Sequence, residues 1–186
     1  MTDLLADAFA TSILAKVTAV RSVTDRTARR RLLEAIDGDI RKYAGCCGPA
    51  AVSEAALAEA KRRGIDLWSL DWHRQPRVDP GRKVFHHEHQ VTVATVRSRC
   101  LAAASVDEIA QILREQAPAN WLLKSEDATL TKLGFKFRRD PTEAYAAAEI
   151  KLVREVPVVQ WPEDEETGFP MLDRKPWPDG KPWTRT

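Results

Sequence analysis

A chain of 186 residues, 44% hydrophobic and 30% charged, has the length and apolar content for one core-bearing domain with an appendage. No apolar run reaches the roughly 18 residues that a membrane span needs, and the N-terminus carries acids where a secretion signal needs bases. Cys46, Cys47 and Cys100 are odd in number and lack CxxC spacing, which argues against a disulfide framework and points to a reducing, cytoplasmic protein with no membrane partner. The formal charge of +2 is too small to imply nucleic acid by itself. Its distribution says more. Residues 21–42 hold seven bases against four acids, and residues 61–83 hold seven against three. Lys132, Lys136, Arg138 and Arg139 come with no acid among them. Such segregation allows a basic face on a nearly neutral chain.

Apolar residues recur at steps of about four from Asp3 to Val20, which predicts a helix with Thr2 as its cap. Thr24 is placed to cap a second helix with Ala28, Leu32, Ile36, Ile40 and Tyr43 on its inner stripe. That register turns Arg26, Arg29 and Arg30 outward, free to meet phosphate. Gly45 to Pro49 breaks the pattern. A third, Ala-rich helix is expected over Ala50–Arg63, ending at Gly64 as a left-handed cap. Residues 65–83 carry Trp68, Trp72, Pro76, Pro80 and Gly81 and predict a loop, with the tryptophans as core anchors.

Residues 84–93 (VFHHEHQVTV) predict a strand. A helix follows over 94–103, and Ser105 with Glu108 makes a capping box for another over 106–116. Residues 120–124 (NWLLK) predict a second strand, followed by a helix capped by Ser125 and ended by Gly134. Thr142 starts a short Ala-rich helix to about Glu149, and Leu152-Val153 is apolar with a β-branched second residue. Beyond residue 160 the composition turns to Pro and Trp, with Lys-Pro-Trp at 175–177 and again at 181–183. Residues 161–186 are therefore read as an extended arm whose tryptophans anchor it to the domain or to a second copy.

All four histidines lie between positions 73 and 89, and three flank Glu88. Histidine titrates near neutrality and is the commonest metal ligand. His87 and His89 are two apart and share a face of a regular strand, a chelating pair for zinc if other elements supply further ligands. The alternative reading takes Glu88-His89 as an acid–histidine pair on one strand, with Asn120 opening the next and a helix behind it.

In that second reading residues 84–134 resemble the HNH, or ββα-metal, endonucleases. The resemblance implies that Glu88 is the metal-binding acid, His89 the general base and Asn120 the residue that orients it. It assigns the last metal ligand to Asp127, with Glu126 in reserve. A carboxylate suits Mg²⁺ or Mn²⁺, a neutral imidazole can take a proton from water, and the metal offsets charge at the scissile phosphate. The stretch between the two strands is longer than in that family, and the family's supporting zinc cysteines are absent.

The expectation is thus an α+β fold. Residues 1–160 form one domain, with a helical part over 1–64 and a ββα-like centre over 84–134, and residues 161–186 form the arm. The expected function is metal-dependent hydrolysis of DNA phosphodiester bonds, of a restriction or defence type. Double-stranded DNA is the expected partner, Mg²⁺ or Mn²⁺ (or Zn²⁺) the cofactor, and a homodimer a fitting assembly for cutting both strands. Arg26, Arg29, Arg30, Arg138 and Arg139 would hold the phosphate backbone. The competing expectations are a non-catalytic nucleic-acid-binding or regulatory module, and a structural metal protein built on His87 and His89.

Overall fold

The computed structural model describes residues 4–135 and 141–154. Arg138, Arg139 and the 161–186 arm lie outside them. Within the described residues the fold is α+β, with eight helices and one four-stranded sheet.

Two long helices open the chain, α1 (Leu4–Ser22) and α2 (Arg26–Cys46). The inner stripe of α1 is Ala6, Ala10, Ile13, Val17 and Val20, all buried, while Leu4 and Leu5 are exposed. Alternating steps of four and three keep these residues on one face, and the two alanines allow close approach. The cap of α2 is Asp25, whose carboxylate accepts the Ala28 N–H at 2.7 Å. The cap therefore falls one residue beyond Thr24, where a charged acceptor also meets the positive end of the helix dipole. On α2, Ile36, Ile40 and Tyr43 are buried, and Arg26, Arg29 and Arg30 face out.

These helices pack with α5 (Val93–Ala102) and α6 (Val106–Gln116) around one core that includes Ile13, Ile36, Val96, Cys100, Ile109 and Leu113. Two polar ties hold this layer in register. Arg97 on α5 meets Asp37 on α2 at 2.6 Å. Arg21 on α1 donates to the carbonyls of Leu101 and Ala103 at 2.9 Å, capping the C-terminus of α5. The helical layer is thus built from both sides of the histidine segment, not from residues 1–64 alone.

The sheet runs in the order β2-β3-β1-β4. Strand β1 (Ala51–Ser53) lies where the third helix was expected to begin, and the helix α3 starts only at Glu54 and ends at Arg63. Three residues are too few to display a strand period, so their pairing decides their state. Ala51 and Val52 pair in parallel with Asn120 and Trp121 of β3 (Ala119–Leu123). Val52 and Ser53 pair antiparallel with β4 (Leu152–Val153). Gly64 closes α3 at φ +67°, as its composition predicts. Within the 65–83 loop, α4 is a single turn over Gln75–Val78.

Strand β2 (Phe85–His89) is antiparallel to β3, and it stops well short of Val93 because the Thr92 side chain caps α5. Directly after β3 comes α7 (Lys124–Lys132), with Leu123 rather than Ser125 at its cap position and the Glu126 carboxylate accepting the Leu123 N–H at 2.7 Å. The short helix α8 (Pro141–Ala147) follows.

Each sheet face has its own core. One gathers Val52, Phe85 and Trp121 with Ala56 and Ala60 of α3 and with Leu67 and Leu70 of the loop. Trp121 is fully buried, and its indole N–H is satisfied by the Leu70 carbonyl at 3.1 Å. The other core gathers Leu122, Leu130 of α7, Ala144 and Tyr145 of α8, and Ile150.

Ser53 joins β1, α3 and α7. Its hydroxyl accepts the Ala56 N–H at 3.0 Å as the N-cap of α3 and donates to Glu126 at 2.6 Å. Replacing Ser53 with Ala should cost about 2–5 kcal/mol, the sum expected for a lost cap and a hydrogen bond to a charged group. Urea unfolding checks it. Most of the loss should be absent in a Glu126→Ala background if the pair carries it.

Candidate functional site

The register of the β2–β3 pair decides where each polar side chain of the histidine segment goes. His86 lies opposite Leu122, His87 opposite Trp121, Glu88 opposite Asn120 and His89 opposite Ala119. Directly opposed residues share a face, and neighbours along a strand alternate. His86, Glu88 and Asn120 therefore face α7 and α8, while His87 and His89 face the tryptophan side. Four polar residues in a row are divided between two environments.

On the tryptophan side, His87 sits between Trp121, with ring centroids 4.7 Å apart, and Trp72, at 5.9 Å. The Arg82 guanidinium stacks 3.3 Å from the centre of the Trp72 ring. Burial is the main reason the His87 pKa drops to about 3, with the nearby His89, His86 and Arg82 adding to it and Asp71 opposing. This imidazole is neutral and part of an aromatic stack. The ring of His89 is 6.4 Å from that of His87.

His89 is also held below the ordinary histidine pKa, first by burial and then by Arg41 and His86, against the pull of the Ala117 carbonyl. Its Nδ1 lies 3.3 Å from that carbonyl. A carbonyl can only accept, so Nδ1 carries the proton and Nε2 is the basic nitrogen of the neutral ring. The orienting role that the resemblance implies for Asn120 is thus performed by the Ala117 backbone. Asn120 is on the opposite face of β3 and donates instead to the Tyr145 hydroxyl at 3.2 Å.

Tyr145, in turn, donates to Glu88 Oε2 at 2.7 Å. Asn120, Tyr145 and Glu88 are all buried, at 0%, 5% and 7% exposure. The Asn120 carbonyl oxygen is buried with no hydrogen-bond partner among the described residues. Leaving such a group unsatisfied costs about 1–3 kcal/mol, so an apolar side chain would serve stability better at this position.

A cleft of about 590 Å³ opens over the end of β2, between α2 and α7. Its walls include Asp37 and Arg41 of α2, His86, Glu88 and His89 of β2, Thr92, and Asp127 and Thr131 of α7. His86 Nε2 lies 3.6 Å from Asp127 Oδ1, within ion-pair range. The cleft therefore gathers Glu88, His89 and Asp127 from the expected set. It adds His86, Arg41 and Asp37, and it omits His87 and Asn120. Tyr145 was not singled out from the sequence, because a tyrosine in a short Ala-rich helix carries no local signal of a partner 57 residues away.

A divalent cation needs several oxygen or nitrogen ligands converging on one point. Among the described residues no three His, Cys, Asp or Glu side chains form such a group. Glu88 Oε2 is taken by Tyr145, and Asp127 Oδ1 faces His86. His87 is stacked against the Trp72 and Trp121 rings, with its own ring 6.4 Å from that of His89. Among the described residues these side chains are not gathered as a ready-made ligand set.

The fold is a four-stranded mixed sheet with helices on both faces beside a helical layer. No protein-family model matches the chain, and no curated protein or solved structure matches it.

The depressed pKa of His87 makes stability depend on pH in a defined direction. Between about 6.5, where the unfolded chain takes up the proton, and about 3 in the folded state, unfolding binds protons. Stability therefore falls as pH drops through that window. His87→Phe should keep the aromatic stack and flatten the dependence, by about 2–4 kcal/mol across the window. Urea midpoints measured from pH 7 to pH 4 for both proteins test it, and parallel curves would rule it out.

Proposed function

We propose that the cleft hydrolyses phosphodiester bonds in nucleic acid, with His89 as general base. The observation that carries this reading is a neutral imidazole of fixed tautomer lining a cleft that also holds three carboxylates and an arginine. The β2–β3 pair followed at once by α7 also supports it, since two antiparallel strands and a helix are the frame of the nucleases that residues 84–134 resemble.

In this reading His89 Nε2 takes a proton from a water molecule as the water oxygen bonds to phosphorus. The bond from phosphorus to the leaving sugar oxygen breaks, and that oxygen takes a proton from solvent. Arg41 at the rim meets the non-bridging oxygens, whose charge builds during the step. His86, held opposite Asp127, lines the same cleft. A requirement for Mg²⁺ or Mn²⁺ is part of the proposal. Glu88 and Asp127 are the carboxylates that would carry it, and no step here runs through the ion. Double-stranded DNA, restriction or defence, a homodimer and a cytoplasmic location belong to the same proposal. The described helices include none long and apolar enough to cross a membrane.

A second reading, a non-catalytic nucleic-acid-binding module, is favoured by the exposed arginine row of α2 together with the missing ligand group. Arg30 is only loosely engaged, 3.3 Å from an equally exposed Glu34. The two readings part in one assay, incubation of supercoiled plasmid with Mg²⁺ or Mn²⁺, with and without EDTA.

On the hydrolytic reading, His89→Ala should reduce cleavage about 10²–10⁴-fold while leaving binding and melting temperature nearly unchanged. Full activity in that variant would sink the assignment. Neutralising Arg26, Arg29 and Arg30 together should weaken binding to every sequence. The salt slope should flatten by about one unit per lost phosphate contact. An unchanged slope would return the three arginines to a solvated helix face.

A further inference from the structure

We propose that Tyr145 is the positioning residue of the cleft, its hydroxyl fixing the Glu88 carboxylate while Asn120 holds that hydroxyl in place. The three form a directional chain. The Asn120 Nδ2 donates to the tyrosine oxygen, which leaves the tyrosine O–H to donate to Glu88 Oε2. Both distances, 3.2 Å and 2.7 Å, are hydrogen-bond lengths, and the shorter is the one to Glu88.

The placement of Asn120 argues that the chain serves Glu88 and not packing. Asn120 lies in an inner strand of the sheet, fully buried, with its carbonyl oxygen unsatisfied among the described residues. Its one described side-chain partner is the Tyr145 hydroxyl. A leucine there would fill the same volume without an orphaned acceptor. A polar residue held against stability is the pattern of a functional constraint.

Glu88 is where such a constraint matters. It is the buried acid of the cleft and stands on the same face of β2 as His86, whose ring meets Asp127. Two side chains from α7 and α8, elements that follow β3 in the chain, thus set the carboxylate–imidazole wall that β2 presents. Outer partners of this kind are worth about 10–100-fold in activity when removed.

The proposal rests on the hydrolytic reading only for its kinetic arm. Tyr145→Phe deletes one oxygen and keeps the ring that packs among Leu122, Leu130 and Ile150. In full-length protein it should lower kcat on plasmid about 10–100-fold with KM unchanged. Asn120→Leu should lower kcat by a smaller factor while holding or raising the melting temperature, a combination that a merely structural role cannot produce. In the second arm, the side-chain carboxylate ¹³C resonance of Glu88, assigned with Glu88→Gln, should shift or broaden in Tyr145→Phe. An unchanged Glu88 resonance, or a loss of activity confined to KM, overturns the positioning role. If the wild-type protein cuts no nucleic acid, the hydrolytic reading fails alone, and the Glu88 resonance still decides the inference.

Discussion

The pairing of β3 on both of its edges is the constraint from which the rest of the molecule follows. Five residues, Ala119–Leu123, take β2 antiparallel on one side and β1 parallel on the other. Trp121 and Leu122 point to opposite faces and are fully buried, so each nucleates a separate core. A slip of one residue would drive the indole into the space of Leu122 and turn Asn120 toward the tryptophan side, so the register is strongly specified. Helix α7 leaves the strand without a linker, which means that the same register also places Asp127 opposite His86.

Burial then gives chemically identical side chains different properties. His87 is locked neutral in an aromatic slot, whereas His89, two residues on, keeps a defined tautomer through a backbone carbonyl and borders open space. His86 turns to a carboxylate on the opposite face, and His73 is exposed in the loop. Of four histidines within one short segment, two reach the cleft. Alternation alone would part His86 from His89, and the cleft takes in both because it opens over the end of β2 between α2 and α7.

The excursion between β2 and β3 has a structural use. Instead of closing as a tight hairpin, the chain makes α5 and α6 and inserts them against α1 and α2. The Arg97–Asp37 contact ties α5 to α2 at the cleft, and one turn further along α2 stands Arg41. A residue far upstream in sequence thereby becomes a wall of the site. The N-terminal helices serve the sheet as scaffold on one face and offer their arginines to solvent on the other.

The helices α1, α2, α5 and α6 were legible in the sequence, because long amphipathic periods and caps such as Ser105 are local signals. The β-segments at 85–89 and 120–123 and the stop at Gly64 were legible for the same reason, from β-branched and aromatic runs and a glycine suited to positive φ. Strand β1 was not, since Ala51-Val52-Ser53 acquires its state from partners about 70 and 100 residues away. The sequence also marked Glu88, His89 and Asp127 as chemistry-bearing residues, and the cleft brings those three together. That Asn120 bonds Tyr145 and not His89, that His87 stacks against Trp72 and Trp121, and that His86 and Arg41 join the cleft depend on register and on long-range packing. Residue types and spacing determine which chemistry is available. Only the tertiary structure decides which side chains share a face, because alternation assigns a strand residue to one side and its distant partners determine what that side contains.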